Sequence, residues 1–219
     1  DVVSCKIYPD APGCGVSPVT TEQALVIGYS TSWLGGTTDW FDVSNWTNGV
    51  PTPEFSAVIP NGMSDYPVIT GGSAYCKELE IQSGASLTIS GSDNLHVYGA
   101  FVCNGAFVAN QSTVCFEFTC DGAVSPLELS SPQEFYNIRV NNANGVKVTS
   151  DIVHLKGSLS ILDGDFNTSG NLLVLSDASE TGCITEVLPG ASITGTITMQ
   201  RYINAVGGYF MYRAIKLRR

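Results

Sequence analysis

From about residue 76 the apolar positions arrive in short alternating bursts. Leu79-Glu-Ile81, Leu87-Thr-Ile89, Leu95-His-Val97 and Phe101 start at successive spacings of eight, eight and six residues, separated by Gly, Asn, Ser and Asp. Period-two bursts of three to five residues between turn signals predict many short strands. The spacing is too tight for a sandwich of ordinary strands. It fits a coil that turns a corner every few residues and stacks on itself. Parallel stacking also accounts for near-continuous apolar content without helices to cover a sheet.

Self-comparison extends the pattern. At an offset of 59, Leu79-Glu-Ile81 lies on Ile138-Arg-Val140, and Leu87-Thr-Ile89 lies on Val146-Lys-Val148. At an offset of 58, Asn94-Leu-His-Val-Tyr-Gly-Ala-Phe101 lies on Ile152-Val-His-Leu-Lys-Gly-Ser-Leu159; Gly105-Ala-Phe107 then falls on Gly164-Asp-Phe166 at 59. A repeat of this length, subdivided into turns of ~20 residues, is a solenoid signature. The expected fold is all-β: a right-handed parallel β-solenoid (β-helix) over residues 61–200, with an N-terminal cap over 30–60 and a short C-terminal extension. On this reading His96 and His154 are equivalent outward positions about three turns apart. That is roughly 14 Å at ~4.8 Å per turn, too far to share one metal ion.

Composition narrows the class. Only 14% of the 219 residues are charged, against about 25% in ordinary soluble domains. With 23 Gly, 10 Pro and 43% apolar residues, the chain is neither a helical bundle nor disordered. The net charge of −10 argues against nucleic acid or an anionic membrane as partner. All 20 carboxylates precede residue 201, where only Lys6, Lys77, Arg139, Lys147 and Lys156 oppose them, giving −15. The last 19 residues carry Arg201, Arg213, Lys216, Arg218 and Arg219 and no acid, giving +5. This basic segment, 201–219, reads either as a solvated end or as an end that docks on the acidic body of another copy.

Seven cysteines, at 5, 14, 76, 103, 115, 120 and 183, include no C-x-x-C pair. Zinc-finger spacing is therefore absent. Cys5 and Cys14 bracket a turn-rich segment that a disulfide would staple, placing a Cys5–Cys14 loop in an N-terminal extension over 1–29. Scattered Cys and few Lys suggest an oxidising, extracytoplasmic setting. The start at Asp1-Val-Val-Ser resembles a processed N-terminus. No apolar run is long enough to span a bilayer.

Candidate chemistry is sparse. Asp163-Gly-Asp-Phe-Asn167 opens like a calcium loop, but Thr168 and Val174 stand where that loop needs Gly and Glu. It reads as a solenoid corner. Nucleophile elbows and phosphate-cradling Gly loops are absent. The expectation is a non-enzyme with no cofactor, no metal and no catalytic residue.

The densest motif holds all three Trp in 14 residues: Trp33-Leu-Gly-Gly-Thr-Thr-Asp39-Trp40-Phe-Asp42-Val-Ser-Asn45-Trp46. Two uses fit Trp33, Asp39, Trp40, Asn45 and Trp46. One is a structural cap that closes the first coil. The other is a stacking platform for glycans. The cap is preferred, because the motif precedes the first coil. Asp39 and Asp42, beside two Trp, look structural.

The stretch also resembles the opening of β-solenoid modules in secreted surface proteins of Bacteroidota, many of them exported by type IX secretion. The matching elements are Trp33 and Gly35, Asp39-Trp40, Asn45-Trp46, Gly49, Pro51 and Ile59-Pro60. Pro67-Val-Ile69, Cys76-Lys-Glu-Leu79, Ser83–Gly91, Phe135-Tyr-Asn-Ile138 and Thr194–Ile203 extend the resemblance over about residues 30–205. Phe55-Ser-Ala57 departs from it, standing where such modules usually carry acids. The resemblance implies a non-catalytic extracellular surface module, used for adhesion, display or building extracellular structures; the acidic body and basic end add the expectation that it self-associates through its ends or binds other surface proteins. Arg213, Lys216, Arg218 and Arg219 are the candidates for self-association. A carbohydrate-binding module and a polysaccharide-degrading β-helix enzyme are the alternatives.

Overall fold

The computed structural model describes residues 30–118 and 122–203, and the backbone of 215–217. Parallel strands wind into a β-solenoid with three faces. The first face stacks eight strands: Ser30–Ser32, Ser56–Ile59, Leu79–Ile81, Phe101–Cys103, Ser125–Leu129, Val146–Val148, Asp165–Asn167 and Ser192–Thr194. The second face begins with Val68–Ile69, Ser86–Ile89 and Ala106–Val108. It continues as a separate sheet of Gln133–Phe135, Val153–Leu155, Leu172–Val174 and Ile197–Met199. The third face stacks Ala74–Cys76, Asn94–Val97, Thr113–Glu117, Asn137–Asn141, Ser158–Asp163 and Cys183–Val187. Apart from one 3-10 turn, Val43–Asn45, the named elements are strands.

Alternation along each short strand decides what goes inside. Leu79 and Ile81 point inward and are buried, while Glu80 between them is only half-buried. In-register pairing then stacks like on like. Ala57, Leu79, Phe101 and Leu127 form one inner row of the first face. Leu95, Val114, Ile138 and Leu159 form one on the third. The rows merge into one continuous core, from Trp33 to Ile197. Among its aromatics, Phe107 packs against Phe101 at 5.3 Å and Phe135 at 5.1 Å between ring centroids.

Coils differ in length. Register partners on the first face lie 22 residues apart for Leu79 and Phe101, 26 for Phe101 and Leu127, 20 for Val146 and Phe166, and 27 for Phe166 and Ile193. The second face breaks beside the 26-residue coil, and a side chain repairs it. Buried Gln133 accepts from the Phe107 N–H at 3.2 Å and donates to the Gly105 carbonyl at 3.3 Å, replacing backbone pairing between the two sheets.

The unequal coils correct the reading of the repeat. The 58–59-residue offset places Leu79–Ile81 of the first face on Ile138–Val140 of the third, and Asn94–Val97 of the third on residues of the second. It relates strands eight apart, whereas three turns of a three-faced coil need nine. Every face asks for the same apolar-polar-apolar strand before a corner, so self-comparison matches strands without matching faces. His96 and His154 accordingly stand on different faces, the third and the second. Both point outward, as expected from alternation.

Corners depend on tight backbone approach. At Gly164 (φ +76°), in the Asp163–Asn167 stretch, an added Cβ would sit 1.8 Å from the Asn142 carbonyl of the preceding coil. The neighbouring Asp165 carboxylate accepts from Ser192 Oγ at 2.9 Å and Thr194 Oγ1 at 2.8 Å. This stretch is a solenoid corner.

Candidate functional site

The Trp motif folds as a unit around Asn45. Its buried amide donates to Thr37 Oγ1 (2.7 Å) and to the Asp39 carbonyl (2.8 Å), and its oxygen accepts from the Thr37 N–H (2.9 Å). Asp42 caps the 3-10 turn by accepting from the Ser44 N–H at 2.9 Å, and the Ser44 hydroxyl (2.7 Å), with this backbone bond, holds its carboxyl below the usual range. Asp39 accepts from the Phe41 N–H at 2.9 Å. The residues predicted from sequence therefore meet in one place. Trp46 packs edge-on against Trp33 and Trp40 at 5.0 and 4.8 Å, and its indole N–H donates to the Trp40 carbonyl at 2.8 Å.

All three indoles are 0–3% exposed. A sugar stacks on an open aromatic face, and here the rings are enclosed by one another and by the first coil. The stacking platform considered from sequence is thus not present on these Trp. They form the terminal layer of the core among the described residues, and Ser30–Ser32 continues the first face beyond Ser56–Ile59.

Cys76, Cys103, Cys115 and Cys183 are free thiols. Cys103 lies in the core of the first face and Cys115 on the third, so those two are not partners. Cys5, Cys14 and Cys120 lie outside the described residues, as do Arg213, Arg218 and Arg219. The Lys216 strand, Ile215–Leu217, pairs antiparallel with Ile197–Met199 of its own chain.

A constellation that sequence reasoning missed lies on the outer side of the third face. Register places Tyr75, His96, Cys115 and Arg139 in one outward row, one coil apart. Glu117 sits two residues along, beside Asn141 of the next coil. His96 Nδ1 is 2.8 Å from Glu117 Oε1. Arg139 Nη2 donates to the same oxygen at 3.2 Å, and Asn141 Nδ2 donates to Oε2 at 3.0 Å. Tyr75 stacks on the His96 ring at 4.8 Å. The bonds from His96, foremost, and from Asn141 and Arg139 hold the Glu117 carboxyl down at about 2. An ionised carboxylate only accepts, so the His96 proton in this contact sits on Nδ1. Cys115 is buried, and burial pushes its thiol up to about 11 despite Arg139 beside it. The ligand atoms of His96, Cys115 and Glu117 all lie within 4.8 Å of one another. A groove of about 310 Å³ lined by Asn94, Thr113, Asn137, Ser158 and Ser160 adjoins His96, Cys115 and Arg139. The signal was in the sequence: outward residues 21, 19 and 24 apart, visible once coil lengths are known.

A second polar group lies near the second face. Lys156 Nζ is 3.3 Å from Glu180 and 3.9 Å from Glu134, and the Tyr136 hydroxyl donates to Glu180 at 3.0 Å. A carboxylate beside a cation is the least that a polysaccharide-cleaving site would need. The Glu180 contact, however, raises both the Lys156 and Tyr136 values. Both groups hold their protons more firmly beside that carboxylate.

Fold and site together define a three-faced parallel β-solenoid with a Trp-rich terminal layer and a polar outer row. A family model described as a domain of unknown function (DUF8693) matches residues 32–114, from the Trp layer to the strand that bears Cys115, less than half of the chain. No curated protein and no solved structure matches it. No helix among the described residues is long and apolar enough to cross a membrane.

Proposed function

We propose that the chain is a non-catalytic structural or adhesive module of the bacterial cell exterior, which associates with other copies of itself or with other surface proteins. The observation that carries this reading is how the outer faces are used. Polar side chains of the outer faces bond to the neighbouring coil, as Ser192 and Thr194 do to Asp165 and Ser158 does to Asn137. A rigid stack of eight first-face strands presents long, regular surfaces, and such surfaces suit display and lateral contact. Low charge, few Lys and the resemblance of the Trp33–Pro60 stretch to secreted surface modules support an extracellular location. The acidic body supports contact with a basic partner surface. Because Ile215–Leu217 pairs within its own chain, end-to-end contact would rely on the cations around it.

The test is protease shaving of intact source cells with immunogold labelling, alongside sedimentation velocity of the purified chain. The reading expects loss of the protein from intact cells, gold at the surface, and association that rises with concentration and falls with salt. Protection from protease until lysis would reject it.

A further inference from the structure

We propose that His96, Cys115 and Glu117 form a binding site for a divalent transition ion of the Zn2+ class. This inference stands apart from the surface reading, since it rests only on the third face. Three donor types that together suit such an ion, imidazole, thiol and carboxylate, are held within 4.8 Å by two adjacent strands. The strands fix the spacing: His96 and Cys115 are direct register partners, and Glu117 is the next outward residue on the Cys115 strand.

The His96–Glu117 spacing is close to a bound one, and the Cys115 sulfur, within 4.8 Å of both ligand atoms, closes to roughly 3.6 Å on binding. Zn–N and Zn–O bonds of about 2.0–2.2 Å at a tetrahedral angle separate the two ligand atoms by roughly 3.3 Å. His96 Nδ1 and Glu117 Oε1 are 2.8 Å apart, so the pair needs to open by about half an ångström. The outer partners of such a site are already in place. Asn141 holds the other carboxylate oxygen, Arg139 takes a second lone pair of Oε1, and Tyr75 fixes the plane of the imidazole. Three protein ligands leave a fourth position open, and the polar groove adjoins it.

Charge selects the ion. Calcium needs six or more oxygens; here both carboxylate oxygens are engaged and the Arg139 cation stands beside them. A hard ion gains too little to offset that repulsion, whereas a thiolate bond does offset it. On binding, the Cys115 S–H bond breaks, a sulfur–metal bond forms, and the proton leaves to solvent. The Nδ1 proton of His96 is exchanged through solvent for one on Nε2, so the imidazole stays neutral and its Nδ1 lone pair is free for the ion.

The test uses the full chain stripped with chelator and kept reduced, titrated with Zn2+ by calorimetry and with Co2+ by absorption. The expected result is one ion per chain that requires Cys115, with a sulfur-to-cobalt charge-transfer band and the d–d bands of a tetrahedral site. Cys115→Ser abolishes the band. His96→Gln leaves every thiol intact and weakens Zn2+ binding at least tenfold, which keeps the test decisive should Cys115→Ser not fold. Absence of the band in the folded wild-type chain, its persistence in Cys115→Ser, or unchanged affinity in His96→Gln would each overturn the proposal.

Discussion

Gly164→Ala probes how closely the coils stack at a corner, and Gly170→Ala in the same coil is its control. Both glycines adopt positive φ, +76° and +88°, so alanine meets a similar backbone penalty of roughly 1–2 kcal/mol at each. Their surroundings differ. A Cβ at Gly170 meets nothing within 4 Å, while at Gly164 it would lie 1.8 Å from the Asn142 carbonyl oxygen and 3.1 Å from the Gly145 nitrogen. That overlap is removed only by lifting the corner. Lifting it strains two bonds between coils, Asn142 N–H to the Asp163 carbonyl (3.3 Å) and Ser192 N–H to the Gly164 carbonyl (3.0 Å). At about 1 kcal/mol each, their loss brings Gly164→Ala to roughly 3–4 kcal/mol. With a urea m-value of about 2–3 kcal/mol/M, the Gly164→Ala midpoint should lie roughly 1 M below that of Gly170→Ala. Circular dichroism and Trp fluorescence should be recorded together, since coincident transitions justify a single free energy. Equal midpoints for the two variants would refute the close stacking.

Three further outcomes follow from the same structure. Asn45→Ala removes the bonds that close the Trp loop and should cost about 2–3 kcal/mol, with a red shift of Trp emission as Trp40 and Trp46 gain solvent. Phe101→Ala opens the aromatic centre between Phe107, Phe116 and Phe135 and should cost about 3–5 kcal/mol by thermal melt; a loss under 1 kcal/mol would contradict the burial described. The Glu117 carboxyl, held near 2 when folded, adds stability that is complete above its ordinary value near 4.5 and is lost as pH falls from there toward 2. In buffer with chelator, the stability gap between wild type and Glu117→Gln should therefore narrow from pH 5 to pH 2 by about 1–2 kcal/mol, discounted for partial solvent screening; a gap that widens over this range reverses the sign.

The parts of the fold readable from sequence are those encoded within one strand and its corner. Leu79-Glu-Ile81 already states which side chains go inside, and Gly164 already marks a turn. The clustering of three Trp in 14 residues showed in sequence which indoles would meet, because their contacts are local. What a strand cannot encode is which face it joins. Coils of 20 to 27 residues make any fixed offset drift, so the 58-residue match paired His96 with His154 when its partners in register are Tyr75 and Cys115. The outer row was hidden for the same reason. Burial of the Trp faces was also unreadable, since an aromatic run looks alike whether it closes a core or meets a sugar.

One register builds both the core and the outer row, and methyl–methyl nuclear Overhauser contacts in selectively labelled protein read it out residue by residue. The structure predicts contacts linking Leu95 to Val114, Val114 to Ile138 and Ile138 to Leu159, one coil at each step along the third face. A slip of one residue turns every inward side chain out. Contacts of Leu95 with a strand other than its two register neighbours, in place of the Val114 contact, would contradict the account and dismantle the His96–Cys115–Glu117 site with it.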